Sequence, residues 1–298
     1  MPAPPRSRAE VARIFRGPGA AAPSAAAIAG DPASPLDHAV RLRDDDVIAM
    51  VAAALDRQDA VLAFQPVVQA ARPATIAYHE ALIRLMDETG RTIPARDFMA
   101  TVETTELGRR LDCLALDMGL AALAEAPGLR LSVNMSARSI GYRPWAQLLE
   151  RGLDTDLTVA ERLILEISEV SAMLLPDLVR AFMQAQQGRG VAFALDDFGA
   201  GAVSFRHLRE FWFDLVKIDG QFIRGIAGSP DNQVLTEALL SVARQFDMFT
   251  VAEAVESAED AAMLQKMGFD CLQGYYFGAP TIQPPWRMPP PRQAARGA

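Results

Sequence analysis

The chain has 298 residues, half of them hydrophobic, with a formal net charge of −8 and a pI of about 5.0. That apolar content is enough for a substantial core, and the acidic balance excludes an electrostatic footprint for polymeric nucleic acid. Cys113 and Cys271 match neither a disulfide framework nor a paired metal-ligand spacing, and no apolar run nears the roughly 20 residues that span a bilayer, so a reducing, cytoplasmic setting is expected.

Residues 1–44, rich in Ala, Pro, Gly and Arg, read as a disordered tail. Within them GAAAPSAAAIAG (19–30) reads as linker rather than export signal, because its apolar content is alanine and proline interrupts it. From 45 to 285 the chain alternates between two periodicities. Strand-like runs are VLAFQPVV (61–68), TIAYHEALI (75–83), LRLSVNMS (129–136), RLILEIS (162–168), VAFALDD (191–197), FDLVKID (213–219), FTVAEAV (249–255) and FDCLQGYY (269–276). Helical spacing fills 111–126, 175–187, 231–246 and 257–267, with Pro176 near the start of one helix and Gly188 just past its end. The proline-dense end, 286–298, reads as a second irregular tail. Eight strands alternating with helices predict an α/β fold, an eight-stranded (β/α)8 barrel of the TIM type. An open doubly wound sheet is the rival, but no G-x-G-x-x-G opens after the first strand.

Nearly every strand-like run ends in a residue that a packed barrel would not choose: Glu80 with Arg84 beyond it, Asn134, Glu166, Asp196 and Asp197, Lys217 and Asp219, Glu253, and Gln273. Any one of them alone reads as a helix cap. Seven strand ends meeting at one rim, where this architecture carries its active sites, read as a site, because crowded carboxylates repel unless a cation lies between them. Carboxylates and an amide are hard oxygen donors suited to Mg²⁺ or Mn²⁺, and the three histidines are too scattered for a His-based centre. Adjacent Asp196 and Asp197 suit a paired-metal site of the kind used in phosphoester displacement, with Lys217 as a fixed positive charge.

The stretch EALIR (80–84) resembles the signature of the EAL-domain phosphodiesterases of cyclic di-GMP. Gln65–Pro66, Asn134–Ser136, Leu165–Glu169, Asp196–Gly201, Lys217–Asp219, Ala252–Glu256 and Gln273–Pro280 resemble that family's other motifs, in order, from about 60 to 280. The resemblance implies a barrel variant with one antiparallel strand, and hydrolysis of cyclic di-GMP, a bacterial second messenger, to linear pGpG. It implies two ions, Mg²⁺ or Mn²⁺, with Glu80, Asn134, Glu166 and Asp196 on the first and Asp196 and Asp197 serving a second. Glu253 would be general base or second-metal ligand, and Lys217 would orient the water and stabilise developing charge. Gln65, Arg84 and Gln273 would contact the substrate, Asp219 and Glu256 would position the lysine and the base, and Glu169 would anchor the glycine loop after Asp197. A homodimer and a regulatory protein partner are further expectations from the family.

Two departures bear on activity. Ala200, Ala202 and Val203 replace hydroxyl-bearing or aromatic residues of the family loop, and Ala254 stands where glycine is usual. If position 254 needs φ > 0, alanine there costs about 1 kcal/mol. The alternative reading is therefore a catalytically weak or inactive receptor that binds cyclic di-GMP on the same rim. A Schiff-base aldolase using Lys217 is disfavoured, because the surrounding acids raise the lysine's pKa.

Overall fold

The computed structural model describes residues 35–201 and 208–287. The chain divides into two compact units, Met1–Asp44 and Asp45–Ala298, and the barrel lies in the second. Helix α1 (Pro35–Asp56) crosses position 45, so part of what reads as tail is helical; Val51, Ala54 and Leu55 of its last turns are buried.

Nine strands form one sheet: β1 (Ala60–Gln69), β2 (Arg72–Met86), β3 (Thr92–Pro94), β4 (Leu131–Asn134), β5 (Leu163–Ser168), β6 (Ala192–Phe198), β7 (Leu215–Ile218), β8 (Phe249–Ala252) and β9 (Cys271–Gln273). Their order is β1-β9-β8-β7-β6-β5-β4-β2-β3, and β1 also pairs with β2, which closes eight strands into a barrel with β3 as an appendage. β1 runs antiparallel to both of its neighbours, and the other barrel pairs are parallel. The fold is thus the TIM-type variant with one reversed strand. A direct hairpin from β1 to β2 replaces the first crossover helix, which is why the reversal sits there.

The main helices are α2 (Glu106–Glu125), α3 (Arg143–Thr155), α4 (Glu169–Leu174), α5 (Pro176–Gln187), α6 (Pro230–Gln245) and α7 (Ala258–Met267). Their starts are locally encoded: Thr105, Ser168, Ser229 and Ser257 accept backbone N–H groups with their side chains, and α3, α5 and α6 carry proline in the first turn. The larger core lies between these helices and the barrel wall.

Two strands stop earlier than their apolar runs suggest. β8 ends at Ala252 because Ala254 turns into the left-handed region at φ +52°. β9 ends at Gln273 because Gly274 lies against the Val255 backbone, and Val255 and Tyr276 then bond each other's loops through Gln273 O and Val255 O. At the other end of the chain, Trp286 packs edge-on against Phe64 and His79, with ring centroids 5.0 and 4.9 Å apart, and Arg287 pairs with Glu125 at 2.8 Å. These two residues, read from the sequence as the start of a tail, belong to the folded barrel. The rest of both assigned tails, 1–34 and 288–298, lies outside the described residues.

Inside the barrel, side chains follow the period of two that a strand imposes. Tyr78 and Glu80 share a face of β2, Ile164 and Glu166 of β5, Ala194 and Asp196 of β6, Leu215 and Lys217 of β7, and Cys271 and Gln273 of β9. The lower member of each pair is mostly apolar, and Val67, Tyr78, Ile164, Ala194, Val251 and Cys271 form an internal cluster separate from the outer core. The upper members are polar. Two residues further along each strand therefore take the barrel from a packed floor to a charged rim.

Candidate active site

Lys217, 1% exposed, is the centre of that rim. Its Nζ lies 3.0 Å from Glu80 Oε2, 2.9 Å from Glu166 Oε2, 3.1 Å from Asp196 Oδ1 and 2.8 Å from Glu253 Oε1. Four strands and the turn after a fifth thus deliver one ammonium and four carboxylates to a single point. Glu80 is further held by Asn134 Nδ2 at 2.9 Å and Gln273 Nε2 at 2.6 Å. Gln273 Nε2 also donates to Gln65 Oε1 at 3.2 Å, and Gln65 Nε2 donates to Gly278 O. Gln65, Glu80, Asn134, Glu166, Asp196, Lys217, Glu253 and Gln273, all read from the sequence as strand-end or site residues, therefore form one connected constellation.

Burial and crowding split the acids by charge state. Burial raises Glu166 to about 8, with the Glu80 and Asp196 charges adding to it against Lys217. Burial likewise holds Glu253 well above the carboxylate range, and raises Asp197 to about 6 with help from Asp196. Glu80 goes the other way: its burial cost is outweighed by Lys217 and by hydrogen bonds from Gln273 and Asn134. Lys217 is stripped of water too, yet its carboxylates raise it well above its ordinary value, which removes it as an amine nucleophile.

One ammonium cannot neutralise four or five carboxylates, and the donors fit a hard divalent cation. Glu80, Glu166 and Asp196 each offer an oxygen within 4.8 Å of the others, as do Asp196, Asp197 and Glu253, so Asp196 belongs to both groups. Among the described residues Glu166 Oε1 meets no hydrogen-bond donor and Asp196 Oδ1 has the Lys217 ammonium at 3.1 Å, so both keep lone pairs for a metal. Asp197 adopts φ +56°, a conformation costly for a non-glycine residue, and this turn brings two successive carboxylates to the rim.

The remaining site candidates are distributed around this centre. Glu169, 2% exposed, accepts the Gly199 N–H at 3.0 Å and packs closely on Gly201, so it ties down the near side of the loop after Asp197; Ala202 and Val203 lie outside the described residues. Arg84 lies four residues along β2 from Glu80, donates to its neighbour Ile83 O at 2.9 Å, and has no carboxylate within ion-pair distance among the described residues. Asp219 and Glu256 differ from expectation. Asp219 caps the turn Gly220–Ile223 by accepting the Gln221 N–H at 2.7 Å, and Glu256 pairs with Arg224 at 3.5 Å on the surface. Neither bonds to Lys217 or Glu253 among the described residues, because β7 ends at Ile218 and β8 at Ala252, so both acids lie on the segments that follow the strands.

Asp112 escapes a reading by strand ends, since it comes from α2. Its Oδ2 accepts the Ser136 N–H at 2.9 Å and the Ser139 hydroxyl at 2.6 Å, fixing the turn that follows Asn134, and burial raises its carboxyl to about 6. It lines a cavity of about 220 Å³ with Asn134, Asp196 and Asp197. An aspartate between Leu111 and Leu116 on the buried face of an amphipathic helix is the sequence signal that could have found it.

Ala254 does occupy the left-handed region, at φ +52°, immediately after Glu253. Ala254→Gly is expected to stabilise the protein by about 1 kcal/mol, read as a higher urea midpoint at unchanged slope. An unchanged or lower midpoint would mean that the methyl's packing over Gly220 compensates the strain.

Comparison with known proteins places this geometry. The chain is 30% identical over 207 residues to the cyclic di-GMP phosphodiesterase PdeF of Escherichia coli, and 27% identical over 234 residues to the cyclic di-GMP phosphodiesterase PdeB of Shewanella oneidensis. These matches cover 68% and 77% of this chain but 28% and 27% of the relatives, so it spans just over a quarter of their length. Among solved structures, the FimX EAL domain of Pseudomonas aeruginosa bound to c-di-GMP superposes with a TM-score of 0.72 at 26% identity, covering 80% of this chain and 97% of that one. Residues 48–280 match the EAL domain family, and the chain belongs to it.

Proposed function

We propose that the chain hydrolyses one phosphodiester bond of cyclic di-GMP to give linear pGpG, lowering the level of a bacterial second messenger. The observation that carries this reading is the pair of oxygen-donor groups sharing Asp196 around Lys217. Glu80, Asn134, Glu166 and Asp196 would hold a first Mg²⁺ or Mn²⁺, and Asp196, Asp197 and Glu253 a second. When bound, such ions supply Lewis-acid activation of water and charge neutralisation at phosphate. Glu253 would either complete the ligands of the second ion or, once deprotonated, accept the proton of the attacking water. Lys217 stabilises the charge that grows on the phosphoryl oxygens. Gln65 and Gln273 orient the ligand from β1 and β9, and Arg84, which has no carboxylate within ion-pair distance among the described residues, would meet a phosphate or a guanine edge.

The setting proposed is the cytoplasm, with Cys113 and Cys271 as free thiols; no helix of the described residues is long and apolar enough to cross a membrane. A homodimer and a regulatory protein partner complete the proposal.

Purified protein incubated with cyclic di-GMP and Mn²⁺ is expected to yield pGpG on chromatography, and Glu80→Ala and Glu253→Gln to lose it. The strain at Ala254 supports a second reading, a receptor in which Glu253 is displaced from the reacting phosphate. Micromolar binding by calorimetry with no pGpG would select it.

A further inference from the structure

Asn134 is the last residue of the short strand β4, and the sheet holds it on one side only. It registers with Glu166 on β5, whereas the pairing with β2 ends at Val133. Past it the chain enters a single tight helical turn, Ala137–Ser139, capped by the Ser136 hydroxyl. Two of the bonds that fix this turn come from helices outside the barrel. Asp112 Oδ2 on α2 accepts the Ser136 N–H at 2.9 Å and the Ser139 hydroxyl at 2.6 Å, and Ser171 Oγ on α4 accepts the Ala137 N–H at 2.8 Å. The Met135 N–H is held from the barrel side by Glu166 O at 2.9 Å, and those of Arg138, Ser139 and Ile140 bond within the turn. Every backbone N–H from Met135 to Ile140 therefore has a partner.

The two outside acceptors are not chosen for packing. Asp112 is 8% exposed on a helix face whose buried neighbours are Leu111, Ala115 and Leu116, and a carboxyl there costs free energy unless it is hydrogen-bonded. Bonds to a carboxylate are also the shorter and stronger kind, which suits a grip on a turn. Ser171 belongs to the helix that starts directly behind Glu166, and the same helix carries Glu169, which accepts the Gly199 N–H at 3.0 Å. One short element thus grips both the turn after Asn134 and the loop after Asp197. Asn134 itself donates from Nδ2 to Glu80 Oε1 at 2.9 Å. A carboxylate only accepts, so the nitrogen must face it, and the amide oxygen is the end left for a cation.

We propose that Asp112 and Ser171 together clamp the turn Met135–Ser139 and so set the Asn134 amide, nitrogen on Glu80 and oxygen towards the cation, before any metal arrives. Both are positioning residues that act through the turn, from two different helices. Outer partners of this kind set the affinity of a metal site through the orientation of the ligand they hold. The affinity part of the proposal rests on the metal-site reading above, whereas the clamp on Asn134 stands without it.

The test compares Asp112→Leu, Asp112→Asn and Ser171→Ala. The protein has two asparagines, Asn134 and Asn232, so isotope-labelled asparagine gives two pairs of side-chain amide signals by NMR, and Asn232→Ser assigns them. In EDTA, Asp112→Leu and Ser171→Ala are expected to move the Asn134 pair towards the position of a free amide and to leave the Asn232 pair in place. Asp112→Asn is expected to stay near wild type, because its carbonyl oxygen still accepts both donors. In calorimetric titration with Mn²⁺, Asp112→Leu is expected to bind about tenfold more weakly, Ser171→Ala to lose a smaller factor, and Asp112→Asn to recover most of the affinity. The double variant is expected to lose less than the product of the single losses, since one turn carries both. Asn134 signals that move in neither variant would overturn the clamp. A lowered thermal midpoint with unchanged Mn²⁺ affinity would reduce both residues to structural support, and Asp112→Asn as weak as Asp112→Leu would replace the clamp with an effect of charge. Wild-type protein that binds no Mn²⁺ would instead overturn the metal-site reading, while the amide signals would still decide the clamp.

Discussion

Lys217→Met is expected to destabilise the metal-free protein by about 3–5 kcal/mol, the usual consequence of removing one partner from a buried charge cluster. The ammonium is 1% exposed and lies within 3.1 Å of four carboxylate oxygens. Methionine fills much the same volume but leaves those acids facing one another in a space without water. They respond by holding protons, so the loss is expected to be larger at pH 8 than at pH 6. Mn²⁺ at about 100 times its Kd returns about 2.7 kcal/mol by binding the folded state alone. Activity does not return with stability: with no fixed cation to meet the developing phosphoryl charge, kcat is expected to fall by roughly 10²–10³-fold even at saturating metal. Urea unfolding with EDTA and with Mn²⁺, alongside pGpG formation, measures both effects. A variant within 1 kcal/mol of wild type in EDTA would show that the cluster is protonated rather than paired, and wild-type turnover would remove Lys217 from the chemistry.

The rim was legible in the sequence because most of its residues interrupt an apolar run towards its C-terminal end. VAFALDD and RLILEIS are recognisable as buried strands by their β-branched and aromatic content, and an acid at the end of such a run has no packing reason to be there. The reversed strand was legible only through the family, since nothing in VLAFQPVV states its direction. What stayed hidden depends on distant contacts. Asp112 reaches the site from a helix through Ser136 and Ser139, residues 24 and 27 positions away. Asp219 and Glu256 show the opposite failure. Proximity in sequence to Lys217 and Glu253 suggested support for them, whereas a capping bond and a surface pair claim these two acids locally. Helix α3, RPWAQLLERGLDT with Trp145, Leu149 and Leu153 buried, carries a strongly one-sided pattern outside the helical segments at 111–126, 175–187, 231–246 and 257–267.

Affinity for the first ion is expected to rise by roughly tenfold per pH unit between pH 6 and 8, because binding must displace the proton that Glu166 holds below about pH 8. The same proton acts on stability with the opposite sign. In the unfolded chain Glu166 titrates at its ordinary value of 4.5, so between 4.5 and about 8 the folded state binds the more protons. Stability of the metal-free protein therefore falls as pH rises through that window. Asp197 and Asp112, each raised to about 6, add to the decline in its lower part. Glu80, lowered in the fold, contributes stability that is lost only on acidification below its ordinary range, and Lys217, raised, contributes stability that is lost only in strong alkali. Neither opposes the trend between pH 5 and 8. Thermal midpoints in EDTA should thus decrease from pH 5 to pH 8, while the increment on adding Mn²⁺ should grow over the same range. Midpoints that rose towards pH 8 without metal would mean that Glu166 is ionised throughout, held by Lys217 alone, and the cation would then meet a site that is already discharged of protons.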